Sequence, residues 1–195
     1  MGKLERDSAG SRAFHFLFRL ILVMALCVPL ATGCGKKDTI VGPGPAAPKY
    51  PELTSPENVL VALKTAYVGK DSTEYKLLFD PSYMGISLIR TSSAPADTFT
   101  FADEARHIAA LARSTVWVDL QLKPTMARSV DLGDPTGWAL IQDPIQTLTI
   151  YDGPNAYPIA PSTETIEFRF IPKTPDSTSP TDTTWKIIRW LEVAH

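Results

Sequence analysis

The apolar residues of this chain change their period once, near Ser114. Before it they recur every three or four positions: Val59, Leu60, Leu63, Ala66 and Tyr67, then Ala105, Ile108, Ala109, Leu111 and Ala112. That spacing gathers them on one face of a helix. After it they alternate: Val116, Val118, Leu120 and Leu122 against Trp117, Asp119, Gln121 and Lys123. Ile166, Phe168 and Phe170 alternate in the same way with Glu167 and Arg169. Alternation marks a strand with one buried face. Helices early and hairpin-linked strands late make an α+β pattern, an antiparallel sheet with helices over one face.

Local signals place the elements. Ser55 can cap a helix, Pro56 suits its first turn and Glu57 complements its dipole. Gly69 ends that helix. Asp71 to Glu74 reads as a second start, and Asp80-Pro81 as its stop, so two short helices are expected from about 56 to 79. Tyr83 to Ile89 reads as a first strand. Thr100 and Asp103 repeat the capping pattern ahead of a third helix. Trp138 to Tyr151 reads as strand, with a bulge or an edge at Pro144. Trp185 to Val193 (WKIIRWLEV) is expected as a central strand, antiparallel to Glu164 to Ile171 across the polar loop at 172–184. Neither run contains proline, as a non-edge strand requires.

The first 54 residues read differently. Lys3, Arg6, Arg12 and Arg19 precede an apolar run from Leu20 to Leu30. Eleven residues reach about 16 Å as a helix, roughly half a bilayer core. A cationic start, a short apolar centre and small residues before a cut make a secretory signal peptide, expected over 1–33. Leu30-Ala31-Thr32-Gly33-Cys34 resembles the lipobox of bacterial lipoproteins, although Ala31 stands where that family more often has leucine. The resemblance implies cleavage before Cys34, a diacylglycerol on its thiol and a membrane anchor in the bacterial cell envelope. Gly35 is not the aspartate that retains some lipoproteins at the inner membrane, which points to the outer membrane where a cell has one. Residues 34–54, rich in Pro and Gly, read as the lipidated cysteine and a semi-stiff tether. Cys27 lies in the signal, so the mature chain keeps Cys34 alone and forms no internal disulfide. The single domain expected at 55–195 must therefore rest on a hydrophobic core, and its 141 residues suffice.

Without the four cations and two anions of the signal, the 19 Lys+Arg and 21 Asp+Glu become 15 and 19, a formal net charge of −4. That balance argues against nucleic acid as a partner.

Two stretches carry a family resemblance. SPENVLVALKTAYVGKDSTEYKLLFDPSY resembles the opening of the nuclear transport factor 2-like superfamily: a long helix, a break, a short helix, and a Phe-Asp-Pro turn into strand one. TTWKIIRWLEV is similar to its closing strand. The resemblance covers 55–195 and implies a curved antiparallel sheet wrapped around N-terminal helices as a cone with a pocket. That fold hosts isomerases, dehydratases, non-catalytic binding modules and sheet-mediated homodimers, so it does not decide function.

Few residues offer chemistry. His107 follows Asp103 by four positions on the third helix. The pair reads either as an oriented general base or as a surface ion pair. By alternation Arg189 shares a strand face with Trp185, Ile187 and Leu191. It reads as a bidentate anchor for a carboxylate ligand, or as a cation that pairs at the core edge or snorkels out. Asp119 reads as solvated. Trp117, Trp138, Trp185 and Trp190 read as core and sheet packing rather than pocket lining. No metal-ligand spacing, Gly-rich phosphate loop or Gly-x-Ser-x-Gly elbow occurs in the sequence, so neither metal nor cofactor is expected. The expectation is a lipid-anchored domain that binds a small apolar ligand or a protein, with an isomerase- or dehydratase-type enzyme using the cone pocket as the alternative.

Overall fold

A computed structural model of the chain describes residues 49–89, 95–159, 164–173 and 183–194. Cys34, the signal, most of the tether, His195 and the middle of the 172–184 loop lie outside the described residues.

Helix α1, Pro56–Val68, begins where Ser55 accepts a hydrogen bond from the Asn58 amide and ends at Gly69. Its apolar face, Val59, Leu60, Ala62, Leu63 and Ala66, is buried. Helix α2, Ser72–Leu77, is capped by Asp71, which accepts from the Thr73 and Glu74 amides. Strand β1 (Phe79–Ile89) follows at once and takes in Asp80-Pro81, four residues earlier than the apolar pattern indicated. A short strand β2 (Asp97–Thr100) leads into helix α3 (Phe101–Arg113), whose N-terminus is a full capping box between Thr100 and Asp103.

The remaining strands are β3 (Trp117–Leu122), β4 (Arg128–Ser129), β5 (Ala139–Gln142), β6 (Ile145–Asp152), β7 (Asn155–Ile159), β8 (Glu164–Lys173) and β9 (Thr184–Ala194). They form a six-stranded sheet ordered β2-β1-β9-β8-β5-β4 and a three-stranded sheet ordered β3-β6-β7. Every pairing is antiparallel except β1 with β9, which run parallel. Parallel neighbours need a long crossover, and here everything from β2 to β8 supplies it. Alternation reports burial and not strand direction, so this pair was invisible in the sequence.

The break at Pro144 is the corner between the two sheets. Gln142 ends β5 in one sheet and Ile145 begins β6 in the other. Asp143 turns the chain with φ of +47°, a region Asp tolerates better than most residues. It accepts from the Ile166 amide at 2.9 Å through Oδ1, and its own amide donates to the Ile166 carbonyl at 2.6 Å. The sheets curve around the helices, and the core lies between: Leu60, Leu63, Tyr75, Phe79, Ile108, Ile141, Phe168, Phe170 and Ile187. The chain entering α1 is already packed, since Tyr50 and Leu53 touch this core and the Trp185 amide donates to the Leu53 carbonyl.

Candidate functional site

Five elements bring polar side chains together on the helix-covered side of the six-stranded sheet. α1 contributes Tyr67 from its last turn. α3 contributes Glu104 and His107, one turn apart and so on one face. β1 contributes Tyr83 and β9 contributes Glu192. Tyr75 reaches in from α2.

The contacts are specific. Tyr75 donates to Glu104 Oε2 at 3.1 Å and Tyr83 donates to Glu104 Oε1 at 3.2 Å. The Tyr67 hydroxyl and His107 Nε2 share a hydrogen bond of 3.1 Å, and their rings stack with centroids 5.9 Å apart. Tyr67, Tyr75, Phe79 and Tyr83 form a chain of ring contacts at 4.8–5.8 Å. Gly85 makes this packing fit, because a Cβ there would come within 2.6 Å of the Tyr83 hydroxyl.

Glu192 projects to the same side. Across the antiparallel ladder it faces Ile166, a core residue, and on its other flank it pairs with Ser87. The Trp190 indole Nε1 is buried without a hydrogen-bond partner of normal geometry, yet lies close enough to Glu192 to favour its ionised form slightly.

Electrostatics follow from this crowding. Glu104, His107, Glu192 and Tyr67 are half-buried, each with an edge open to solvent. Burial dominates all four. It pushes Glu192 up to about 8, aided by Glu164 and Glu104, and it pulls His107 down to about 4. Glu104 is raised by burial against the opposing pull of its two tyrosine donors. Tyr67, Tyr75 and Tyr83 are all raised, first by burial and then by Glu104. At neutral pH this cluster therefore holds a neutral imidazole, three phenols, a Glu192 that mostly keeps its proton, and Glu104 held by two donors.

The two residues singled out from sequence lie on opposite faces. His107 is inside. Asp103 is occupied by the Thr100 cap and an ion pair with Arg106, so the partner of His107 is Tyr67 rather than the acid four residues before it. Arg189 is outside. Ladder register shifts between Arg169 and Phe170, opposite Ile187 to Arg189. That irregularity reverses the alternation in β9: Trp185 and Ile187 face inward, as do Trp190 and Glu192, while Arg189 and Leu191 face outward. Of the tryptophans, Trp185 and Trp190 pack against the core. Trp117 does not; it is 51% exposed and stacks on Tyr151 at 3.7 Å. Among the described residues no group of three His, Cys, Asp or Glu could hold a metal ion.

Glu104 and Glu192 belong to no motif in the sequence, though each leaves a signal. Glu104 continues the Ile108–Leu111 face of α3 by one turn, an acid in line with the two most buried residues of that helix. Glu192 sits among the aromatic and aliphatic residues of the closing strand, but the bulge hid its face.

No protein-family model matches the sequence, and no curated protein matches it. Solved structures similar to it include a ketosteroid isomerase-like protein of Erwinia carotovora, 14% identical, covering 73% of this chain and 95% of that one, with a TM-score of 0.41. Another is an NTF2-like protein with a cystatin-like fold from Novosphingobium aromaticivorans, 10% identical over 70% and 77%, TM-score 0.42. A third is an uncharacterized protein with a cystatin-like fold from Caulobacter vibrioides, 12% identical over 71% and 86%, TM-score 0.45. At such identities no residue role passes from them to this chain.

Proposed function

We propose that this is a lipid-anchored domain of the bacterial cell envelope that binds a small uncharged ligand at the cluster of Glu104, His107 and Glu192. One observation carries the binding reading: an imidazole and three phenols meet a Glu192 that mostly keeps its proton, around a Glu104 carboxyl already held by two of the phenols. Such a set suits a ligand with an apolar body and a few donors or acceptors, and disfavours ions, which lose hydration without a counter-charge. The anchor rests on the border at Cys34.

Nile red, a neutral apolar dye with an acceptor carbonyl, tests the site. Its emission is expected to shift to the blue and brighten on binding, and Glu192→Arg, which places a cation in the cluster, is expected to abolish this. Unchanged dye binding in that variant, with the fold retained, refutes the site. Labelled palmitate tests the anchor. It is expected to mark the wild type and not Cys34→Ser, and an unlabelled wild type refutes the lipoprotein reading.

A second reading, an isomerase- or dehydratase-type enzyme, is favoured by the two carboxyls sharing one cluster with different partners. One is held by two phenols and the other keeps its proton, which is how one site supplies both an acid and a base. Deuterium uptake beside the carbonyl of a neutral enone, lost in both Glu104→Gln and Glu192→Gln, is its expected mark. Wild-type uptake no faster than in buffer rejects it for that substrate class.

A further inference from the structure

The outward face of the six-stranded sheet carries a cleft, across the sheet from Glu192. It measures about 460 Å³ and is walled by Ile86, Pro135, Trp138 and Leu191. Arg169 and Arg189 both reach it, directly opposite each other on β8 and β9. Like charges so placed repel. Arg169 is fully engaged: Nε donates to Asp134 at 2.8 Å, Nη1 to Glu167 at 3.0 Å and Nη2 to Asp131 at 3.0 Å.

Arg189 is engaged at one nitrogen only. Its Nη1 donates to the carbonyls of Ser82 at 3.1 Å and Ile188 at 2.7 Å. Its guanidinium lies over the Trp138 ring, 5.7 Å from the centroid. Among the described residues Arg189 has no acidic partner, and its Nε and Nη2 make no hydrogen bond. Those two nitrogens form an edge of the guanidinium that accepts a carboxylate in two parallel bonds.

We propose that this cleft binds a small organic monocarboxylate. The Nε and Nη2 edge of Arg189 holds the carboxylate, and Trp138, Ile86 and Leu191 pack against a flat apolar body. One negative charge fits better than two, because Arg169 is already engaged by Asp131, Asp134 and Glu167, and Asp134 itself lines the cleft. The carboxylate can belong to a free acid or to the C-terminus of a peptide, and the chemistry of the grip is the same.

The full-length protein in detergent is titrated by calorimetry with phenylacetate, its neutral isostere phenylacetamide, phenyl phosphate, and an acetylated tripeptide ending in phenylalanine. Phenylacetate or the peptide is expected to bind at least about tenfold more tightly than the amide and the phosphate, as two charge-assisted hydrogen bonds require. Whichever of the two binds better names the source. Arg189→Met is expected to lower that affinity about tenfold or more, with a retained thermal transition. If Arg189→Met does not fold, Arg189→Lys, which keeps the charge and loses the fork, is expected to lower it as well. Nile red is expected not to displace phenylacetate, so failure of the inner site leaves this result standing. Equal binding of acid and amide, unchanged binding in both Arg189 variants, or no binding of either carboxylate at millimolar concentration overturns the proposal.

Discussion

Burial holds the Glu192 carboxyl near pH 8, whereas its ordinary value is 4.5. Between those values the folded chain binds more protons than the unfolded one, so stability falls as pH rises through the window. Replacing Glu192 by Gln removes the titration. Thermal melts are expected to show wild type and Glu192→Gln together at about pH 4.5 and the variant higher by several degrees at about pH 9. His107 acts in the opposite sense. Its value drops from 6.5 to about 4 through burial, so the unfolded chain binds more protons over that range and stability is lost as pH falls through it. His107→Gln is expected to flatten this acid limb in the same melts. Gly85 is tested by space. Alanine there places a Cβ 2.6 Å from the hydroxyl of Tyr83, which is itself buried and hydrogen-bonded to Glu104. Gly85→Ala is expected to cost about 1–3 kcal/mol by denaturant unfolding, and the loss should shrink in a Tyr83→Phe background.

At the scale of elements, β9 is the member on which the sheet depends. It lies between β1 and β8, and it buries Ile187, Ile188 and Val193. The expectation that Trp185 to Val193 pairs antiparallel with Glu164 to Ile171 in a central position agrees with this ladder. Truncation at Thr184 removes the partner of two strands at once and is expected to abolish the cooperative thermal transition. The corner between the sheets is a smaller device. Asp143 serves it through a left-handed backbone and a side-chain bond to the Ile166 amide. Asp143→Ala is expected to cost about 1–2 kcal/mol by the same unfolding measurement, and Asp143→Asn less, since asparagine keeps both the acceptor and the tolerance for positive φ.

Across the whole molecule, the polar cluster and the cleft lie on opposite faces of one sheet, the cluster built from α1, α2, α3, β1 and β9 and the cleft from strand residues and the Pro135–Trp138 segment. Their energetics are expected to be separable: the stability changes of His107→Gln and Arg189→Met should add within about 0.5 kcal/mol. The sequence by itself determined the class of fold, the three helices with their caps at Ser55, Asp71 and Thr100, and the buried faces of α1, β3 and β8. These are local matters, set by periodicity and by which side chains can reach a free amide within three residues. It also held the pairing of the last two strands, because two proline-free alternating runs have few other ways to bury their faces. Tertiary structure alone decided the rest. Which strand lies beside β1, and in which direction, depends on where a chain returns after a hundred residues. Which way Arg189 and Glu192 point depends on a bulge that the alternation of β9 does not announce. The polarity of the inner cluster depends on groups from five elements meeting, since a carboxyl or an imidazole departs from its ordinary pKa only when neighbours distant in sequence take its water away.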